Sequence, residues 1–163
     1  FENEEDRNKL IKSTKEVNID TDLELMLPDD YVSSTEERLS LYQKLADVQN
    51  AKELQQFENE LTDRFGKLPD EAVNLLKSVE LKWLASEIGF DKLVVKNKVF
   101  LGYFPANPQD KFYQSEKFRK IIAYLTQNPA EATLKEKNNQ LMMRKDNVKN
   151  VDDVNLVLNR ILA

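Results

Sequence analysis

From Val17 to Leu27 the chain alternates: Val17 and Ile19 against Asn18 and Asp20, then Leu23, Leu25 and Leu27 against Asp22, Glu24 and Met26. A period of two is that of a strand, and Pro28 ends it, so a strand is predicted over 17–27. The stretch before it, "FENEEDRNKLIKSTKE", is polar and unpatterned, and 1–16 reads as a linker from an upstream module. After the turn "DDYVSS" the period becomes helical. Ser34 and Glu37 have capping-box spacing, and Leu39, Tyr42, Leu45 and Ala46 form a stripe that Leu41 and Val48 widen. Asn50 and Glu53 repeat the spacing ahead of a second stripe, Leu54, Phe57, Leu61 and Phe65. Gly66 follows, where a left-handed C-cap suits glycine. Pro69 opens a third helix, Asp70 to Ile88, apolar on two sides: Ala72, Leu75, Leu76, Val79 and Trp83 on one, Val73, Leu84 and Ile88 on the other. Such a helix is expected to be central, with Phe57 and Trp83 in the core.

Beyond Gly89 the pattern changes again. "FDKLVVKNKVFLGYF" predicts a hairpin around Lys96-Asn97-Lys98, and "PANPQD" a loop. A fourth helix begins near Ser115, with Phe118, Ile121, Ile122 and Leu125 inward, and stops before Pro129. A second hairpin turns at Asn138-Asn139, and a last helix from about Asp152 buries Val154, Val157, Leu158 and Ile161. The class is therefore α+β: an N-terminal strand and three-helix half, then two β-hairpins with two further helices, forming one domain over 17–163.

Composition narrows the chemistry. The 163 residues include no cysteine and no histidine, which removes disulfides, thiol nucleophiles, Ser-His-Asp catalysis and ordinary zinc sites. The three glycines, 66, 89 and 102, are far apart, so no glycine-rich loop exists to cradle a nucleotide phosphate. The chain starts at Phe1 with no signal-peptide pattern, which points to a segment of a longer protein. No apolar run reaches the ~20 residues of a membrane span. The net charge of −5 is unevenly spread: residues 1–110 carry 14 basic and 23 acidic groups, residues 111–149 carry 9 and 4. An acidic domain is a poor general binder of phosphate backbone, but 111–149 could make a local contact.

Three groups of residues are candidate sites. In "ELTDRFG", Phe65 completes the apolar stripe and Gly66 caps it, which leaves Glu60, Asp63 and Arg64 on the opposite and flanking side. Glu60 and Arg64 stand four apart in the favourable order for an ion pair, so this is either a solvated helix face or a contact surface. The pairs Asp29-Asp30 and Asp152-Asp153 could bind a hard cation or serve as acid and base, yet both sit where turns and helix starts favour aspartate. "KFYQSEKFRK", 111–120, mixes bases and aromatics like a nucleic-acid patch, but Phe118 and Phe112 also fit a core.

"DLELMLPDDYV", "ERLSLYQKLA" and "ELTDRFGKLPDEAVNLL", from Asp22 to Leu76, resemble the C-terminal domain of the bacterial transcription-repair coupling factor (Mfd) family. The matching letters are Leu27, Pro28, Asp30, Tyr31 and Val32, then Arg38, Leu39 and Tyr42, then Glu60, Leu61, Asp63, Arg64, Phe65, Gly66, Leu68 and Pro69. From Gly89 onward the similarity is looser. The resemblance implies a cytoplasmic parent that is an ATP-driven translocase on double-stranded DNA. Such a parent displaces stalled RNA polymerase and recruits UvrA for nucleotide excision repair. It also implies that ATP and magnesium bind upstream, with no cofactor, metal or catalytic residue in this domain. The domain itself would be a regulatory clamp over the UvrA-binding surface of the N-terminal module, holding it through Glu60, Asp63 and Arg64. The competing reading is an auxiliary nucleic-acid-binding domain that uses 111–149.

Overall fold

β1 (Asn18–Thr21) is a short edge strand, and its brevity follows from its neighbour. A computed structural model of the chain describes residues 17–163; the linker expected over 1–16 lies outside the described residues. β1 runs parallel to β2 (Lys92–Lys96), from Asn18 opposite Lys92 to Thr21 opposite Val95. There the partner turns away. The Thr21 hydroxyl donates to the Val95 carbonyl (2.8 Å) and accepts from the Leu23 amide (3.0 Å), and the Asp22 carboxylate accepts from the Asn97 amide (2.9 Å). Residues 22–27 therefore leave the sheet, and the strand predicted over 17–27 shortens to four residues. The alternation still holds in burial: Leu23 and Leu25 pack on one core, and Leu27 is fully buried in another.

α1 (Thr35–Ala46) starts at Ser34, whose hydroxyl accepts from the Glu37 amide at 3.2 Å. It buries Leu41 and Leu45, whereas Leu39 is 59% exposed and Ala46 also faces out, so the expected stripe is rotated. Two tertiary bonds set that rotation. The Arg38 guanidinium donates to the Val32 carbonyl at 2.7 Å, and the Tyr42 hydroxyl accepts from the Leu27 amide at 2.7 Å. α2 (Ala51–Phe65) follows, with the Asn50 side chain accepting from the Glu53 amide at 2.9 Å. It buries Phe57 and Leu61 as the stripe predicts. Gly66 ends it at φ +87°, ψ −164°, outside the left-handed helical region expected and in a region that only glycine occupies readily.

α3 (Asp70–Ile88) is the central helix, closed by Gly89 at φ +109° in the left-handed region. Its first half shares a core with α1 and α2: Ala72 and Leu76 join Leu27, Val32, Leu41, Leu45, Phe57 and Leu61. Its second half, Leu81, Leu84, Ala85 and Ile88, packs on the sheet. Trp83 is only half-buried, contrary to its assignment to the core. It lies where α3 passes from one core to the other, beside a shallow groove shared with Leu54, Leu68, Val73 and Leu76.

The two hairpins join into one five-stranded mixed sheet, ordered β1-β2-β3-β5-β4, with β3 (Val99–Tyr103), β4 (Thr133–Lys137) and β5 (Gln140–Lys145). The link is the antiparallel pairing of β3 with β5. Both hairpin turns have two residues at positive φ, Asn97-Lys98 and Asn138-Asn139, as tight hairpins of this twist require. α4 (Glu116–Gln127) is capped by Ser115, and α5 (Val151–Leu162) by Asn150. With α3 they cover one face of the sheet, over Leu93, Val95, Phe100 and Met143. α5 is fastened to α3 by polar bonds: Asn74 accepts from the Val151 amide (3.2 Å), and the Asn155 amide donates to the Lys77 carbonyl (3.0 Å). The α+β class stands. Among the described residues no helix is long and apolar enough to cross a membrane.

Candidate functional site

The motif residues divide into those that fold the helical half and those left over. Tyr31, from "LPDDYV", reaches the end of α2, where its hydroxyl donates to the carbonyls of Leu61 (3.2 Å) and Gly66 (2.8 Å). Its ring tilts against Phe65 with centroids 5.7 Å apart. Burial pushes the Tyr31 phenol pKa up, favouring the neutral donor. Arg38 and Tyr42 hold the loop backbone at Val32 and Leu27, and Arg38 also pairs with Asp29 at 3.2 Å. These side chains clamp the 27–32 loop to α1 and α2, and their roles are structural.

Glu60, Asp63 and Arg64 remain on the outer flank of α2. The ion pair expected between Glu60 and Arg64 is replaced by two pairs to α1. Lys44 donates to Glu60 Oε1 at 2.7 Å, and Arg64 pairs with Glu37. The Arg64 guanidinium also lies 4.8 Å from the centroid of the Phe65 ring, a cation–π geometry. The second Glu60 carboxylate oxygen, Oε2, is buried without a hydrogen-bond partner among the described residues. Asp63 is exposed and makes no ion pair or hydrogen bond among them. The face is thus a set of fixed charges across two packed helices, with the exposed Asp63 carboxylate as its unused acceptor. Lys44 and Glu37 were not legible as its members, because they come from a different helix.

The other candidates resolve differently. Asp29 serves Arg38, Asp152 lies 3.5 Å from Lys77, and Asp153 accepts from the Lys149 amide at 2.8 Å. No group of three or more Asp or Glu side chains among the described residues is placed to hold a metal ion. Phe112 and Phe118 turn inward: both rings contact Phe104, at 5.6 and 6.0 Å between centroids, and each other at 5.3 Å. They offer no stacking platform beside Lys117, Arg119 and Lys120.

The family model of the TRCF domain matches residues 21–115, more than half of the chain, and the chain belongs to that family. It is 29% identical over 142 residues to the transcription-repair-coupling factor of Rickettsia prowazekii (strain Madrid E), covering 86% of this chain and 12% of that protein. Against the transcription-repair-coupling factor of Escherichia coli (strain K12) it is 35% identical over 81 residues, covering 50% of this chain and 7% of the relative. The chain therefore spans about a sixth or less of the length of the curated relatives it matches. A crystal structure of the C-terminal domain of transcription-repair coupling factor superposes with a TM-score of 0.76 at 18% identity, over 93% of this chain and 95% of that one, and shares its fold.

Proposed function

We propose that this domain is a regulatory clamp with no catalytic activity or cofactor of its own. In this reading it belongs to a cytoplasmic, ATP-driven DNA translocase that displaces stalled RNA polymerase and recruits UvrA. In the resting state the domain lies over the UvrA-binding surface of the N-terminal module of the same protein. The contact is the α1–α2 face with Glu60, Asp63 and Arg64. ATP and magnesium act upstream, in the motor.

The observation that carries this reading is the state of those charges. They stand off the apolar stripe on two packed helices, Asp63 is exposed with no partner among the described residues, and the Lys44–Glu60 and Glu37–Arg64 pairs keep exposed surface. Fixed charges bind a complementary face at moderate strength and in one register. Tethering raises effective concentration, so an intramolecular lock holds with modest affinity and releases without exposing a large apolar patch. Calorimetry of this domain against the separately produced N-terminal module tests it. Binding should weaken steeply as salt rises and be lost on changing all three residues to Ala. Salt-independent binding that the triple variant retains would refute the assignment.

A further inference from the structure

The second face of the sheet carries no helix among the described residues, and its side chains form an ordered pattern. Leu93, Val95, Phe100 and Met143 point into the core, so their alternating neighbours point the other way. The strand register then sets two adjacent rows. One runs Asn18–Lys92–Tyr103–Met142–Lys135, and the other Asp20–Val94–Leu101–Arg144–Thr133. Tyr103, Val94 and Leu101 are half-buried, and Met142 is buried yet belongs to neither core. The centre of this face is therefore apolar and lies outside both cores formed by the described residues.

Its rim is basic, in a chain whose net charge is −5. Two cations are internally matched: Lys96 lies 3.0 Å from Asp20, and Arg144 lies 2.9 Å from Asp146. Lys92 and Lys135 flank the Tyr103–Met142 pair, are exposed, and make no ion pair or hydrogen bond among the described residues. Lys137 extends the same side along β4.

We infer that this face is a second docking surface, distinct from the α1–α2 face, and that its partner is an acidic protein segment with one or two apolar anchors between carboxylates. The anchors would cover the accessible parts of Tyr103, Val94 and Leu101 beside buried Met142, and the carboxylates would meet Lys92 and Lys135. Charge complementarity selects the sign of the partner. Aliphatic content selects protein over nucleic acid. Sheet surfaces that read single strands stack bases on several aromatic rings, and here Tyr103 stands alone among Val94, Leu101 and Met142.

The test is an isotope-labelled 163-residue chain titrated, in separate NMR experiments, with a synthetic peptide of alternating Glu and Leu or Phe residues and with an oligothymidine. Peptide-induced shifts should centre on Lys92, Leu101, Tyr103, Met142 and Lys135. Lys92→Glu with Lys135→Glu should weaken peptide binding roughly tenfold, as should Tyr103→Ala. Arg119→Glu, a charge change on α4, should leave it unchanged. Retained peak dispersion reports that each variant is folded. Peptide shifts that map elsewhere would overturn the proposal, as would equal binding by the charge-reversed variant. Tighter binding of the oligothymidine to this face would replace the protein partner with nucleic acid. A soluble paramagnetic agent that fails to reach Tyr103 and Lys135 in the free chain would show the face covered by the chain itself, and would also overturn it.

Discussion

The Tyr31 hydroxyl shares its one proton between the carbonyl oxygens of Leu61 and Gly66, 3.2 and 2.8 Å away. One side chain thus joins the loop after β1 to the end of α2, where helix carbonyls lack partners. Tyr31→Phe should cost about 0.5–1.5 kcal/mol of stability, measured by urea denaturation. The pH dependence has a definite sign. Burial raises the folded pKa above the ordinary tyrosine value of about 10, so the contribution is full below that value and is lost as pH rises through the folded pKa. The stability gap between wild type and Tyr31→Phe should therefore be constant near neutrality and narrow above pH ~10. A gap that widens there would show that the phenol is not the donor.

Gly66 and Gly102 are required for different reasons, and substitution separates them. At Gly66 a Cβ would have open space, but φ is +87° and ψ −164°, so Gly66→Ala should cost about 1–3 kcal/mol through backbone strain alone. At Gly102 a Cβ would lie 2.6 Å from the ring of fully buried Phe90, so Gly102→Ala should cost about 1–3 kcal/mol through overpacking. Phe90→Leu in the same chain should recover part of the loss at Gly102 and none at Gly66. Equal recovery at both in a double-mutant cycle would contradict this.

Core substitutions should follow burial and not side-chain size. Phe57→Ala should cost about 3–5 kcal/mol and Leu41→Ala about 2–5 kcal/mol, since both sites are buried. Leu39→Ala should stay within about 0.5 kcal/mol, because Leu39 is 59% exposed. Trp83→Ala should fall short of Phe57→Ala despite the larger ring. Chemical denaturation midpoints check the order, and a Leu39 cost equal to that of Leu41 would place the α1 stripe where periodicity alone put it.

The parts of the fold legible in the sequence are those fixed by local chemistry. Ser34 and Asn50 cap the helices that their spacing announces, Ser115 caps the helix expected to begin near it, and Asn97-Lys98 and Asn138-Asn139 turn the hairpins. What escaped depends on distant partners. The phase of α1 is set by Arg38 and Tyr42 gripping loop backbone, so Leu39 and Leu41 exchange roles. The strand after Thr21 ends because β2 ends, and the pairing of β3 with β5 leaves no local trace. At the candidate face the three residues read from α2 do share one flank, but the ion pairs that hold two of them come from α1.

The regulatory reading makes its sharpest demand on Glu60, Asp63 and Arg64 together. Changing all three to Ala should shift the stability of this domain by about 1 kcal/mol or less, since two exposed or half-exposed ion pairs and one free carboxylate are removed. In the complete parent protein the same change should open the clamp. The direct measurement is capture of UvrA by the intact parent and by the triple variant, without RNA polymerase. A lost coupling of ~1–3 kcal/mol predicts an apparent UvrA affinity about five- to 150-fold higher in the variant. Equal capture by both, with both folded, would contradict the account and leave this flank of α2 a solvated helix surface.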